Sequence, residues 1–332
     1  MNADVQAKLE KLKINYSQVK GQPFSHFFCP ILFRDENVPL CKAHIVNKAF
    51  LNSAGAWTVQ RQDIDNFYGS IFESQFLAIQ YADRTNEEII SNKNLSELFK
   101  PRILVNDKPV DFFVAGRKIP EEFTRIEFDN NGETNLLGLK MSPKDFVLAE
   151  GQRWETSISK DIRLPSVISL IKSAHLTFFE MLGYKYALTN GAHFLGWNIL
   201  GKFFIQNYNK PKSDVFKNAY PFFSEFVHMV RPVHSSGINL QGTITDKLLL
   251  ICKEGNNHPW AFIVFVKTAQ SLHAVMLPIL DQPYTVSKFL GFLKNKNDLI
   301  EVVSTCFEQN QWIINKESSK LYWPKDDALY PE

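Results

Sequence analysis

Cysteine is scarce in this chain: there are 4 in 332 residues, at positions 29, 41, 252 and 306. So few, so far apart, exclude the dense disulfide framework of small secreted domains. Long apolar runs are missing too. None approaches the ~20 residues that a bilayer-spanning helix needs. The opening residues, Met1 to Glu10, are polar and helical in pattern, without an apolar signal region. The expectation is a cytoplasmic protein with reduced thiols. An excess of one charge is also lacking: 37 basic residues face 35 acidic ones, a net of +2. That balance neither announces nucleic-acid binding nor opposes it. No Gly-x-Ser-x-Gly elbow is present, and no internal repeat or low-complexity linker marks a domain boundary.

Phenylalanine, by contrast, is abundant, with 28 residues against 10 Tyr and 6 Trp. Aromatic rings bury large areas, so core packing explains them; no basic, aromatic-interleaved strand is visible to carry a base-stacking surface. With 45% hydrophobic and 22% charged residues the chain can bury a sizeable core. Its length suits two or three domains, or one large elaborated one.

Metal-capable side chains concentrate in one stretch, His26-x2-Cys29-x11-Cys41-x2-His44. Two thiolates and two imidazoles at this spacing can hold Zn²⁺ tetrahedrally, which makes His26, Cys29 and Cys41, with His44, candidates for a structural zinc site. The competing reading buries both cysteines as small hydrophobes and leaves His26 on the surface.

The surrounding pattern predicts a short amphipathic helix over residues 4 to 19, an extended segment over Phe24 to Phe28, a polar turn over Arg34 to Pro39, and a strand over Leu40 to Val46. A break at Asn52 to Gly55 follows, and apolar residues at 64, 67, 68, 71, 72, 76 and 79 then predict a helix over 61 to 81. This module reads strand, turn, strand, loop, helix. Another short helix is expected over 86 to 100. Short β-like runs separated by Asn-Asp, Ala-Gly and Asp-Asn-Asn-Gly turns follow as far as Val147. The clearest helix is predicted over 165 to 188, with Pro165 in its first turn, Gly183 near its end and His175 beside its apolar face. A second core helix is expected from Gly196 to Tyr208. Strands over Thr243 to Lys253, Trp260 to Lys267 and Leu272 to Leu280 then read as a meander, followed by a helix near 287 to 294 and a terminal hairpin. The fold class is α+β: an N-terminal ββα-metal-like module over 1–100, then a mixed domain over 101–332 with short antiparallel strands, two core helices and a C-terminal β-meander.

Cys29-Pro-Ile-Leu followed by Leu40-Cys-Lys-Ala-His-Ile-Val-Asn-Lys-Ala-Phe resembles the motif of HNH-type (ββα-metal) endonucleases, in which a Cys-x2-Cys knuckle precedes a His-Ile-Ile-Pro-like stretch. The resemblance extends from Cys29 to the helix after Arg61. It implies that His44 is the general base that deprotonates a water for attack on phosphorus. It further implies a divalent metal, Mg²⁺ or Mn²⁺, held by Asp63, Asp65 and Asn66 near the helix start, with nucleic acid, DNA foremost, as substrate. Three departures are plain: Leu32 stands where the second knuckle cysteine would be, Asn47 replaces the proline, and the helix offers no histidine. Two functional expectations follow, a metal-dependent phosphodiesterase and a catalytically inactive nucleic-acid-binding or assembly protein on the same scaffold. Gly196-x4-Gly201-Lys202 imitates a phosphate loop, but Phe203 replaces the Ser or Thr that would bind Mg²⁺. A helix carrying two glycines is the expectation there.

Overall fold

The structure, a computed structural model, describes residues 2–46, 55–79, 102–105, 108–111, 123–124, 127–128, 134–135, 140–141, 152–155, 163–232, 249–254, 258–267, 272–279, 284–294, 298–308 and 311–323. The chain divides into two compact units, one made of residues 1–76 with 163–332 and the other of residues 77–162. The division expected at residue 100 is thus replaced by an inserted unit. Composition could not show this, because the two parts of the larger unit meet only through long-range packing.

In the larger unit, helix α1 (Ala3–Lys20) starts at the Asn2 cap, whose side chain accepts the Asp4 N–H, and stops at Gly21 with φ 79°. That left-handed position suits glycine. The segment after it forms no strand; its pairing is a single bridge, Phe28 to Asp35. The Asp35 carboxylate takes the N–H groups of Ser25 at 2.6 Å and His26 at 2.9 Å, so a side chain satisfies backbone that a strand partner would otherwise satisfy. The strand pair is instead β1 (Leu40–His44) with β2 (Trp57–Arg61), antiparallel. Trp57-Thr58-Val59 was the available signal, being rich in strand-favouring residues. A helix begins at once as α2 (Gln62–Tyr68), opens into a π turn (Gly69–Glu73) and closes as α3 (Ser74–Ile79). The order is β-β-α, with His44 at the end of the first paired strand rather than the second.

The inserted unit holds β3 (Arg102–Val105), β4 (Lys108–Asp111) and β9 (Gln152–Glu155) in the antiparallel order β4-β3-β9. Between them β5 (Phe123–Thr124) pairs with β8 (Lys140–Met141), and β6 (Glu127–Phe128) with β7 (Thr134–Asn135). The helix expected over 86 to 100 lies outside the described residues.

Back in the larger unit, α4 (Arg163–Leu182) is the central element. The wide apolar face expected of it understates its burial: Leu170 and Leu176 are buried along with Val167, Ile171 and Phe178, and so are the polar Ser166, Lys172 and His175. It ends at Gly183, φ 58°, where the Asn15 side chain accepts the Tyr184 N–H at 2.6 Å and fills the space that a Cβ would need. Two single turns, α5 (Tyr184–Ala187) and α6 (Asn190–His193), lead into a π-helix over Phe194–Gly201, then α7 (Lys202–Asn207) and α8 (Lys212–Phe223). Most phenylalanines among the described residues are core, as expected, and their rings meet mostly edge to face: Phe203 lies 4.8 Å from Phe223, and Phe67 lies 5.3 Å from Phe204.

The last third forms a six-stranded antiparallel sheet, ordered β10-β13-β12-β11-β14-β15. Its strands are β10 (Val230–Pro232), β11 (Leu249–Glu254), β12 (His258–Lys267), β13 (Leu272–Pro278), β14 (Asp298–Glu308) and β15 (Gln311–Trp323). Only β11-β12-β13 is the meander that turn chemistry predicts. The chain then runs through α9 (Tyr284–Lys294) and joins the far side of β11, a crossover that local sequence does not encode.

The phosphate-loop lookalike is a helix, as expected, and its glycines have a packing cause. A Cβ on Gly196 would meet the Pro30 carbonyl oxygen, stand 2.8 Å from the Phe33 ring and 3.2 Å from His175 Nε2; one on Gly201 would stand 2.6 Å from the Ile31 carbonyl. The π-helix's i→i+5 bonding sets residues five apart one above another, so both glycines face the turn after Cys29. Gly196→Ala is expected to cost about 1–3 kcal/mol through overpacking, read as a lowered urea midpoint. An unchanged midpoint would show that the turn can move aside.

Candidate functional site

The register of β1 with β2 sorts the expected site residues onto two faces. His44 opposes Trp57 and Lys42 opposes Val59 on one face; Cys41 opposes Gln60 and Ala43 opposes Thr58 on the other. Helix α1 lies on the first face, where Lys42 reaches Asp4 at 3.7 Å and sits 4.5 Å from the Trp57 ring centroid. On the second face lies α2, where the Cys41 thiol donates to Asp65 at 3.8 Å. The hairpin therefore separates His44 from Asp65, although the strand–helix order suggests that they converge.

The three proposed metal ligands also point apart. Asp63 and Asp65 are two positions apart on a helix and so lie on nearly opposite sides. Asp63 is gripped by Arg61, Nε to Oδ1 at 3.1 Å and NH2 to Oδ2 at 2.8 Å, and the same guanidinium binds Glu36. Asn66 is exposed.

Asp65 belongs to a different cluster, which the sequence did not reveal. Lys172 of α4, its side chain 1% exposed, places Nζ 3.0 Å from Asp65 Oδ1 and 2.7 Å from Glu73 Oε1. Two α-helical turns take about 7.2 residues. The π turn adds one, so positions 65 and 73 fall on one side and close on the ammonium. Burial alone would depress the Lys172 pKa; the carboxylates of Glu73 and Asp65 outweigh it and raise it, so the group stays charged. The same surroundings, burial first and the Asp65 charge second, push the Cys41 thiol up to about 12. The available signal was a lone lysine in Ile171-Lys172-Ser173-Ala174, since lysine is almost never fully buried unless paired.

Cys29 is fully buried at the head of a tight turn. Its sulfur accepts the N–H groups of Ile31 and Leu32, each at 3.4 Å, and its thiol donates to Gln60 Oε1 at 3.3 Å. Burial pushes its pKa up to about 12. Leu32, at the knuckle's second position, is buried apolar side chain, and Phe33 takes φ 54° to complete the turn. His26 is exposed, and its printed bond is made by its backbone N–H. Among the described residues no group of three or more His, Cys, Asp or Glu side chains is arranged to hold a metal ion. The carboxylates are instead answered from within the chain, Asp63 by Arg61 and Asp65 with Glu73 by Lys172.

Two further histidines are held by packing and hydrogen bonds. His175, buried in α4, bonds Tyr186 OH at 2.9 Å through Nδ1 and the Pro30 carbonyl at 3.1 Å through Nε2. A carbonyl can only accept, so Nε2 carries the proton and Nδ1 accepts from the phenol. Burial lowers its pKa to about 4. His193 packs edge-on against Phe33 at 4.7 Å. Beside the His44–Trp57 end of the hairpin, where the connecting loop leaves, a cleft of about 370 Å³ is lined by Lys8, Ile45, Trp57, Thr177, Glu180 and Lys267, among others. Lys8 is engaged there, donating to the Trp57 carbonyl at 2.5 Å and standing 3.8 Å from Glu180.

No helix among the described residues is long and apolar enough to cross a membrane. No family model matches this chain, and neither a curated protein nor a solved structure matches it.

Proposed function

We propose that this chain is a non-catalytic nucleic-acid-binding protein, built on a hairpin–helix unit that resembles the HNH core but is held together by an internal ion cluster. The observation that carries this reading is the Lys172 ammonium between Asp65 and Glu73. It supplies, from within the chain, the positive charge that a divalent metal would bring. Phosphodiester hydrolysis needs a cation free to neutralise a developing phosphoryl charge and a base aimed at the attacking water. Here the cation is a buried lysine already saturated by two carboxylates, and His44 lies on the other face of the hairpin.

A second reading, the metal-dependent endonuclease, is favoured by one observation. The β-β-α order places His44 at the end of the first strand and Asp63 and Asp65 in the first turn of the helix that directly follows the second. The two readings separate in a nicking assay. Supercoiled plasmid is incubated with wild type and His44→Ala in Mg²⁺ and in Mn²⁺. The expectation is no nicking above buffer from either protein, and no rise in melting temperature with either ion. Nicking by wild type that His44→Ala loses would establish the endonuclease instead.

A further inference from the structure

We infer that the outward side of the helical hairpin α7–α8 is a docking surface for single-stranded nucleic acid. The inference rests on the nucleic-acid-binding reading above and gives it a place. The hairpin turns its apolar side inward: Phe203, Phe204 and Asn207 of α7 and Val215, Ala219 and Phe223 of α8 are buried, and Asn218 donates to Asn207 at 2.8 Å to lock the two helices in register. What remains outward is an unusual mixture for a solvated face. Tyr220 is 64% exposed, Tyr208 47% and Ile205 46%. Lys202, Lys210 and Lys217 belong to the same hairpin, and all three are exposed. Among the described residues none of the three is paired with a carboxylate. One acid, Asp214, sits near the tip.

Cations alone would be an ordinary solvated surface, and a lone exposed tyrosine would need no explanation. Two large exposed rings on one hairpin with three ammonium groups that meet no carboxylate among the described residues are different. Ammonium groups track phosphates as point charges, and flat rings offer faces to unstacked bases. A duplex hides its base faces, so the rings select a single strand. The surface is separate from His44 and the Lys172 cluster, so it does not depend on whether the hairpin–helix unit is catalytic.

The test is fluorescence anisotropy with a labelled oligothymidylate of roughly 16 nucleotides, long enough for a site of this kind. Three phosphate contacts on a single strand predict binding that weakens roughly 20-fold between 50 and 200 mM KCl. Lys202→Glu with Lys217→Glu should weaken binding at 50 mM by tenfold or more and flatten the salt dependence. Tyr220→Ala should weaken it by roughly tenfold through lost stacking, and Tyr220→Phe should restore it. All these side chains are exposed, so melting temperatures should match wild type, which separates a binding effect from misfolding. If wild type binds and every variant binds equally, this surface is wrong while the nucleic-acid-binding reading stands. If wild type binds neither the oligothymidylate nor the duplex, both fall. Tighter binding of a blunt duplex of equal length would overturn the single-strand assignment.

Discussion

Replacing Lys172 by methionine is expected to cost about 3–5 kcal/mol of stability, because it removes one partner from a buried ion cluster and leaves the others without compensation. Glu73, 10% exposed in its side chain, would bear most of the loss; Asp65, at 28%, can recover hydration. Urea unfolding at pH 7 measures the effect. The same principle gives a second, sharper expectation. A charge-free version, Lys172→Met with Asp65→Asn and Glu73→Gln, should regain most of the lost stability, since apolar and amide groups of similar shape need no counter-ion. A single variant as stable as wild type would mean that the cluster does not hold the hairpin–helix unit to α4.

The other large effect is a pH dependence centred on His175. The unfolded chain takes up a proton on this imidazole near its ordinary value of 6.5, whereas the folded chain does so only at about 4. Between those values the unfolded state binds more protons, so stability rises with pH across the window. The contribution is fully present above 6.5 and is lost as pH falls from there toward 4. At ~1.4 kcal/mol for each pH unit, that is about 3 kcal/mol. Carboxylates titrate at the lower end of the same range, so the comparison is with His175→Gln, which keeps a polar side chain in place but cannot charge. Wild type should lose stability between pH 6.5 and 4.5 more steeply than the variant. Parallel curves would show that the imidazole charges in the folded state without penalty. The physical cause is burial, which penalises the charged ring in the middle of α4.

Both effects arise where the legibility of the sequence ends. Local pattern was enough for α1, for the helix beginning after Arg61, and for α4, because a 3.6-residue apolar repeat reports a buried face whatever it packs against. It also placed Gly183 near the end of this helix, although it carried the helix on to 188, whereas α4 stops at Leu182. The missing hydroxyl at Phe203 disposed of the phosphate loop from sequence alone. The cysteine–histidine stretch, in contrast, reads as one site because its members are close in the chain. In the fold Cys29 turns inward to Gln60, Cys41 turns to Asp65, and His44 lies across the hairpin from both. Strand alternation decides this, and alternation can be applied only once the paired strands are known; with β2 read as loop, the faces could not be assigned.

By itself, then, the sequence determined an α+β protein with a phenylalanine-rich core, an HNH-like order of residues and no long apolar span. The tertiary structure alone decided three things: the insertion of residues 77–162 into a unit made from both ends of the chain, the crossover that sets β14 beside β11, and the cation that answers Asp65 and Glu73. The reason is common to all three. Lys172 lies 107 residues from Asp65 and 99 from Glu73. Contacts at such separations are chosen by the packing of whole elements, and no local periodicity records which partner a buried charge will find.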